Sequence, residues 1–365
     1  MEKGRIIQIM MAVFVVLTIL ISVASVISNG KATVDRKSVI EKEINEKSPG
    51  KIQVRPTTLT YPLYRARAVW DGRYIYILGG TAIDKSGSFN ESASNIIQRY
   101  DPRADTIEIV LADSFPYARW YTTAVYISSR EATYIFGGHG KSGQGGQILK
   151  YNHTTNNVTV IGNNSDLGEF GNGAYGMTAI KISNESILIF GGVDYLENFT
   201  WAKYDDIWLF NTSTENLTRL SIKMPCWQNT ALGVYDFNTD SVYLMGGAGT
   251  DTGVDPIAKV TRLSRASYPV ASEMKYFDSL PAPYDNLEGF WSKGYIYSYG
   301  GDKGGNLTDE INVYSPSKKK LYTLPERLPS PRDRVAVAYD GNRAYIFGGS
   351  TTSGPSNQII WHDRR

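Results

Sequence analysis

Three arginines occupy one place in a recurring phrase of this chain. Counting three residues on from Pro62, Pro116 and Pro331 reaches Arg65, Arg119 and Arg334, and the same count from Pro225 and Pro283 reaches Gln228 and Asn286. A guanidinium is a planar fork of donors that matches a carboxylate or a phosphate, so such side chains gathered on one axis would hold an anionic group of a ligand or partner. Trp120, Tyr121, Trp227 and Tyr284 lie beside them in sequence, placed to stack on a sugar or clasp a peptide. The competing arrangement pairs the arginines with Glu288, Asp285 or Asp333 across the same axis and bridges water. In either arrangement Glu288 belongs to the site.

Other chemistries have less to stand on. The chain has three histidines, His139, His153 and His362, at unrelated places in the phrase, so a metal centre is not expected and no cofactor is assigned. Cys226 stands alone without a histidine placed to activate it, and a small buried thiol is the expectation. Asp251–Asp255 and Asp302–Gly305 lack the alternating oxygen ligands of a calcium loop. Lys plus Arg total 38 against 36 Asp plus Glu, which gives no strongly basic field for nucleic acid.

The elements that must position these residues announce themselves by repetition. A strand-forming run closed by two glycines occurs at Tyr74–Gly80, Tyr134–Gly138, Ile187–Gly192, Val242–Gly247, Tyr295–Gly301 and Tyr345–Gly349. Successive pairs lie 58, 54, 55, 54 and 48 residues apart, the period of a repeat architecture. An apolar run of four or five residues without alternation suits a strand covered on both faces. Further on in each unit comes a second signal, a large apolar residue before a turn: Tyr100, Tyr151, Phe210, Leu263, Tyr314 and Trp361. The turns are rich in Asp, Asn, Pro and Ser, which is hairpin punctuation.

The glycine doublet after a hydrophobic strand and the later aromatic resemble the kelch repeat over residues 51 to 365. That resemblance implies an all-β fold, a six-bladed kelch-type β-propeller, in which the polar residues named above ring the mouth of a central channel. The third unit lacks the proline, and Asn172 is its nearest equivalent. The fourth departs most, with Leu263 in place of the aromatic and a long segment from Arg265 to Phe277 after it. The last unit stops one strand short, and Ile52–Arg55 reads like the outermost strand of other units. Residues 51–57 are therefore expected to complete the sixth blade and hide its edge.

Ahead of the repeats, Ile6–Ser28 carries no charge, and as a helix its 23 residues would span about 34 Å, enough to cross a bilayer. It is expected to be a transmembrane anchor, with a cleaved signal peptide ending near Ala24 as the alternative; residues 1–5 form a short tail and 29–50 a polar stalk. Nine Asn-x-Ser/Thr sequons, at Asn90, Asn152, Asn157, Asn163, Asn184, Asn198, Asn211, Asn216 and Asn306, favour a glycosylated propeller outside a cell membrane. The functional expectation is a non-catalytic binding module for a protein or glycan ligand at the channel mouth. The alternative is a carbohydrate-active enzyme, a hydrolase or one similar to the sialic-acid mutarotases of this architecture, acting on an acidic sugar. A likeness to the kelch-type copper oxidases would need converging histidines, which the spacing does not offer.

Overall fold

The structure, a computed structural model, describes residues 50–82, 92–111, 118–139, 146–161, 174–195, 201–250, 253–264 and 274–363. The chain divides into two units, Met1–Gly50 with Arg365, and Lys51–Arg364. The expected tail, the apolar segment 6–28 and all of the stalk but Gly50 lie outside the described residues.

The expected cell-membrane placement is corrected by what is described. Among these residues no helix is long and apolar enough to cross a membrane. The one helical stretch among them is the three-residue turn Ser128–Arg130, against the roughly 20 apolar residues that a spanning helix needs. The sequons at Asn157, Asn184, Asn216 and Asn306 are exposed, those at Asn152 and Asn211 accept hydrogen bonds from their own turns, and Asn90, Asn163 and Asn198 lie outside the described residues.

Regular structure is otherwise strand, consistent with a kelch-type propeller. The repeats fold into antiparallel sheets built on four strands in meander order, and in unit four two short strands extend the sheet to six. Unit one comprises Arg67–Trp70, Ile75–Leu78, Ile97–Asp101 and Thr106–Leu111. Unit two comprises Thr123–Ile127, Ala132–Phe136, Ile148–Asn152 and Asn157–Ile161; unit three Thr178–Lys181, Ser186–Phe190, Asp206–Asn211 and Asn216–Lys223. Unit four comprises Leu232–Asp236, Ser241–Met245, Gly253–Ser264 and Lys275–Asp285, and unit five Glu288–Ser292, Tyr295–Tyr299, Glu310–Ser315 and Lys320–Arg327. Unit six takes Ala336–Tyr339, Arg343–Phe347 and Gln358–Asp363 from the C-terminus and Lys51–Thr58 from the opposite end of the repeats. The first strands neighbour one another in the order one to six and back to one.

The glycine-closed runs are the second strands, and Ile75–Leu78, Ala132–Phe136 and Ser241–Met245 are buried at every position. Their two faces serve different cores. Ile75 and Ile77 join a cluster with Tyr345, Phe347 and Trp361 of unit six, while Tyr76 and Leu78 join one with Ile135 and Tyr151 of unit two. Each sheet thus packs on both neighbours, which is why the runs show no polar alternation. The first glycine of each doublet allows the next unit to pass close. A Cβ on Gly191 would lie 2.2 Å from the Gln228 carbonyl oxygen, and one on Gly348 2.1 Å from that of Leu63. Both glycines also hold a positive φ of 61°.

Lys51–Thr58 pairs antiparallel with Gln358–Asp363, with Lys51 opposite Asp363 and Val54 opposite Ile360. The Arg55 and Arg343 guanidiniums each lie 3.9 Å from the Trp361 ring, and Arg55 also pairs with Asp105 of unit one at 3.0 Å. This strand therefore ties the last strand of the chain to unit one.

Candidate functional site

Just before each first strand the backbone turns through a left-handed residue: Arg65 (φ 59°), Tyr121 (53°), Gly176 (68°), Thr230 (51°), Asn286 (52°) and Arg334 (53°). Only Gly176 adopts this freely; for the β-branched Thr230 it is a strained conformation that its surroundings must enforce. Backbone hydrogen bonds join these positions across unit boundaries. Arg65 N–H donates to the Arg334 carbonyl (3.0 Å), Tyr121 to Arg65 (3.1 Å), Gly176 to Tyr121 (3.2 Å) and Thr230 to Gly176 (2.7 Å). Residues far apart in sequence are thereby held around one central point.

Of the residues singled out by the proline count, this arrangement brings together Arg65, Asn286 and Arg334, with Tyr121 and Glu288. Arg119 and Gln228 lie elsewhere. Both are buried within their own units, where Arg119 Nη1 donates to the carbonyls of Gly137 (3.1 Å) and Gln147 (3.2 Å) and Gln228 Nε2 to that of Gly246 (2.8 Å). Arg332 makes the same bond to Gly348 in unit six at 3.0 Å. These side chains hold the carbonyl of the first doublet glycine, a structural task. The count slips because in units two and four the left-handed position stands five residues after the proline, not three. Counting 14 to 16 residues back from the first doublet glycine finds all six, including Gly176 and Thr230, and Gly176 takes the place that the sequence assigned to Asn172, a residue outside the described ones.

The aromatic candidates also divide. Trp120 pairs through its backbone with His139, their rings 5.1 Å apart, and Trp227 is buried with Lys203 Nζ 4.9 Å from its ring. Tyr284 is buried and donates to Glu310 Oε2 at 3.0 Å. Tyr121 alone reaches across the centre. Its hydroxyl accepts from Arg334 Nε (2.6 Å) and donates to Asn286 Oδ1 (3.1 Å), while Arg65 lies over its ring at 4.9 Å and Tyr175 stacks on it at 5.9 Å.

Beneath Tyr121 is a cavity of about 30 Å³. On its wall Arg67 forms an ion pair with Glu288, residues 221 positions apart that meet across the centre, and Arg67 also reaches Thr123 Oγ1 at 3.5 Å. Arg67 was missed in the sequence because no phrase marks it; it stands two residues past the left-handed position, as Glu288 does in unit five. Arg334 Nη1 pairs with the buried Asp333 at 2.7 Å, and Asp285 accepts from the Thr230 hydroxyl and from Asn286 N–H (2.6 Å). Three guanidiniums and three carboxylates therefore share the site.

Burial dominates the acids. It pushes the Asp285 carboxyl up to about 6, with the Thr230 hydroxyl and the Asn286 N–H pulling the other way. Burial likewise raises Glu288 against the pull of Arg67, and Asp333 against that of Arg334. Burial acts to lower Arg334, but its hydrogen bond to the Tyr121 hydroxyl and the carboxylates of Asp333 and Asp285 outweigh it and hold the guanidinium above its ordinary value.

Metal chemistry finds no such gathering. Among the described residues no group of three His, Cys, Asp or Glu is placed to hold an ion. His153 bonds to Thr133 and lies 3.5 Å from Asp71, His362 meets Tyr299, and His139 meets the rings of Trp120 and Tyr175 at an angle.

The all-β fold and its repeated sheets are consistent with a kelch-type β-propeller. The chain is similar to a Kelch domain-containing protein of Archaeoglobus fulgidus, 28% identical over 212 residues that make up 50% of this chain and 65% of that protein. The similarity supports the kelch-repeat family, and it spans just under two thirds of that relative's length. No family model matches the sequence.

Proposed function

We propose that residues 51–365 form a six-bladed kelch propeller, closed by strand 51–57, that binds a protein or glycan ligand over its central mouth without catalysis. The observation that carries the reading is the set of left-handed residues, whose strained backbones present Arg65, Tyr121, Asn286 and Arg334 to one point. Strain of this kind is kept where a surface must present particular groups. The sheets, the cyclic order of their first strands and the kelch relative support the architecture. Volume bears on the partner: about 30 Å³ is far below the 300–1,000 Å³ of an enclosing small-molecule pocket. A partner that lays one polar group over Tyr121 fits better than a free sugar swallowed whole.

One observation favours the enzyme reading. Burial pushes Asp285 up to about 6, a value suited to a general acid or base, and the charge of Arg334 acts on it. Peptide and glycan arrays followed by turnover assays on each hit separate the two. Binding lost in Arg334→Ala with no product formed supports the module; product from an acidic sugar, abolished by Asp285→Asn, supports the enzyme. Hits indifferent to both Arg334→Ala and Tyr121→Ala would place recognition away from the mouth.

A further inference from the structure

Unit four departs from the repeat in its outer strands as well as its sequence. Its third and fourth strands run 12 and 11 residues, where the outermost strands of units one, two and three run 6, 5 and 8. The outermost, Lys275–Asp285, pairs along one side with Gly253–Ser264. On its other side no described strand pairs with it until Tyr284 and Asp285 reach Lys303 and Asp302. Pro281 and Pro283 limit the open stretch to Lys275–Leu280.

Cations line both faces of this edge. On one face Lys259 Nζ lies 5.4 Å from the ring of Tyr276, which is 51% exposed. On the other, Lys319 Nζ at 4.6 Å and Arg262 at 5.6 Å converge on Phe277, with Lys318 exposed beside them on the hairpin of unit five. Several other strand cations sit against carboxylates, as Arg99 does on Glu108, Arg219 and Lys223 on Asp206, Lys303 on Glu310 and Arg343 on Asp363. Among the described residues no carboxylate lies within ion-pair distance of Lys259, Arg262, Lys318 or Lys319. Arg262 instead donates to Ser241 Oγ, and the nearby Asp278 is engaged by the Tyr314 hydroxyl at 2.7 Å.

We propose that this edge docks an extended acidic polypeptide segment, which adds as a further strand along Lys275–Leu280 with its carboxylates on Lys259, Arg262 and Lys319. Strand addition satisfies the edge's N–H and C=O groups, and side chains alternating to both faces meet cations on each. A second copy of the same edge is excluded by charge, since pairing it with itself sets lysine against lysine. A phosphodiester backbone offers acceptors but no donors, so it cannot continue a ladder, which favours a polypeptide over a nucleic acid.

The test titrates the full chain into a fluorescent capped peptide of alternating glutamate and threonine and reads anisotropy. Companion titrations use single-stranded DNA and phosphatidylserine vesicles. Binding is expected at low salt, weakening toward about 0.15 M as the Debye length falls to about 8 Å. Arg262→Glu with Lys319→Glu should weaken it roughly tenfold, and Lys318→Glu with Lys319→Glu, at a hairpin tip away from the cores, should do the same. The same peptide N-methylated at alternate amides keeps its charge but cannot pair, and should also bind at least about tenfold less tightly. Equal binding by the methylated peptide, indifference to both reversals, or tighter binding of DNA or vesicles through these residues would each overturn the proposal.

Discussion

Replacing Arg67 by methionine tests the central constellation most directly. Arg67 and Glu288 are each 19% exposed, so removing the guanidinium leaves a carboxylate four-fifths buried beside a cavity with room for only a water or two. Breaking a buried pair from one side costs about 3–5 kcal/mol, and partial access to water reduces that here to about 2–4 kcal/mol. The unit Lys51–Arg364 should unfold with an entropy near 0.66 kcal/mol/K, taking about 2.1 cal/mol/K per residue, so the midpoint should fall by roughly 3–6 °C. The loss depends on pH with a definite sign. Burial already raises Glu288, and without Arg67 it rises further, so the folded variant takes up a proton that the unfolded chain lacks. The gap between variant and wild type should therefore narrow as the pH falls toward about 5. Calorimetric melts at neutral and acidic pH read both effects. Adding Glu288→Leu removes the stranded charge and should restore most of the loss. An Arg67→Met protein that melts within about 1 °C of wild type, or a double variant no better than the single, would refute the claim that this pair is buried and coupled.

Deleting residues 51–57 strips the partner strand from Gln358–Asp363 and takes Arg55 from Trp361 and Asp105; a loss of at least about 3 kcal/mol, or roughly 4–5 °C, should appear in a thermal melt. Asp285, with its folded value raised to about 6 above an unfolded value near 3.9, makes the native state the better proton binder between those values. Wild-type stability should thus fall by about 3 kcal/mol as the pH rises through that window, and Asp285→Asn should flatten this slope in urea titrations. Arg119→Ala should lower stability by about 2–4 kcal/mol, because the Gly137 and Gln147 carbonyls lose a charged donor, while array binding per folded molecule stays as in wild type.

The balance of charge at the mouth bears on what it recognises. Arg67 is matched by Glu288 and Arg334 by Asp333, which follows the paired arrangement, one of the two that the arginine spacing left open. A partner's polar group must compete with these internal pairs and with the Tyr121 hydroxyl, which already takes the Arg334 Nε. Affinity for a simple anion should consequently be weak, with selectivity resting on how a partner's surface fits around the mouth.

The sequence by itself determined the repeat and its all-β character. A buried two-faced strand needs an unbroken apolar run, and the close passage of the next unit at Gly191 or Gly348 needs a residue without a Cβ; both are local demands that leave a local mark. The mouth was legible only in part. Arg65, Asn286 and Arg334 follow the proline count because their units keep the same loop length, whereas two extra residues carry Arg119 and Gln228 back into their own units and put Tyr121 and Thr230 at the centre. Arg67 could not have been chosen from the chain alone. Its importance is the carboxylate of a residue 221 positions away, and only the tertiary structure brings them together, since a charge is placed by what faces it across space rather than by what precedes it in sequence.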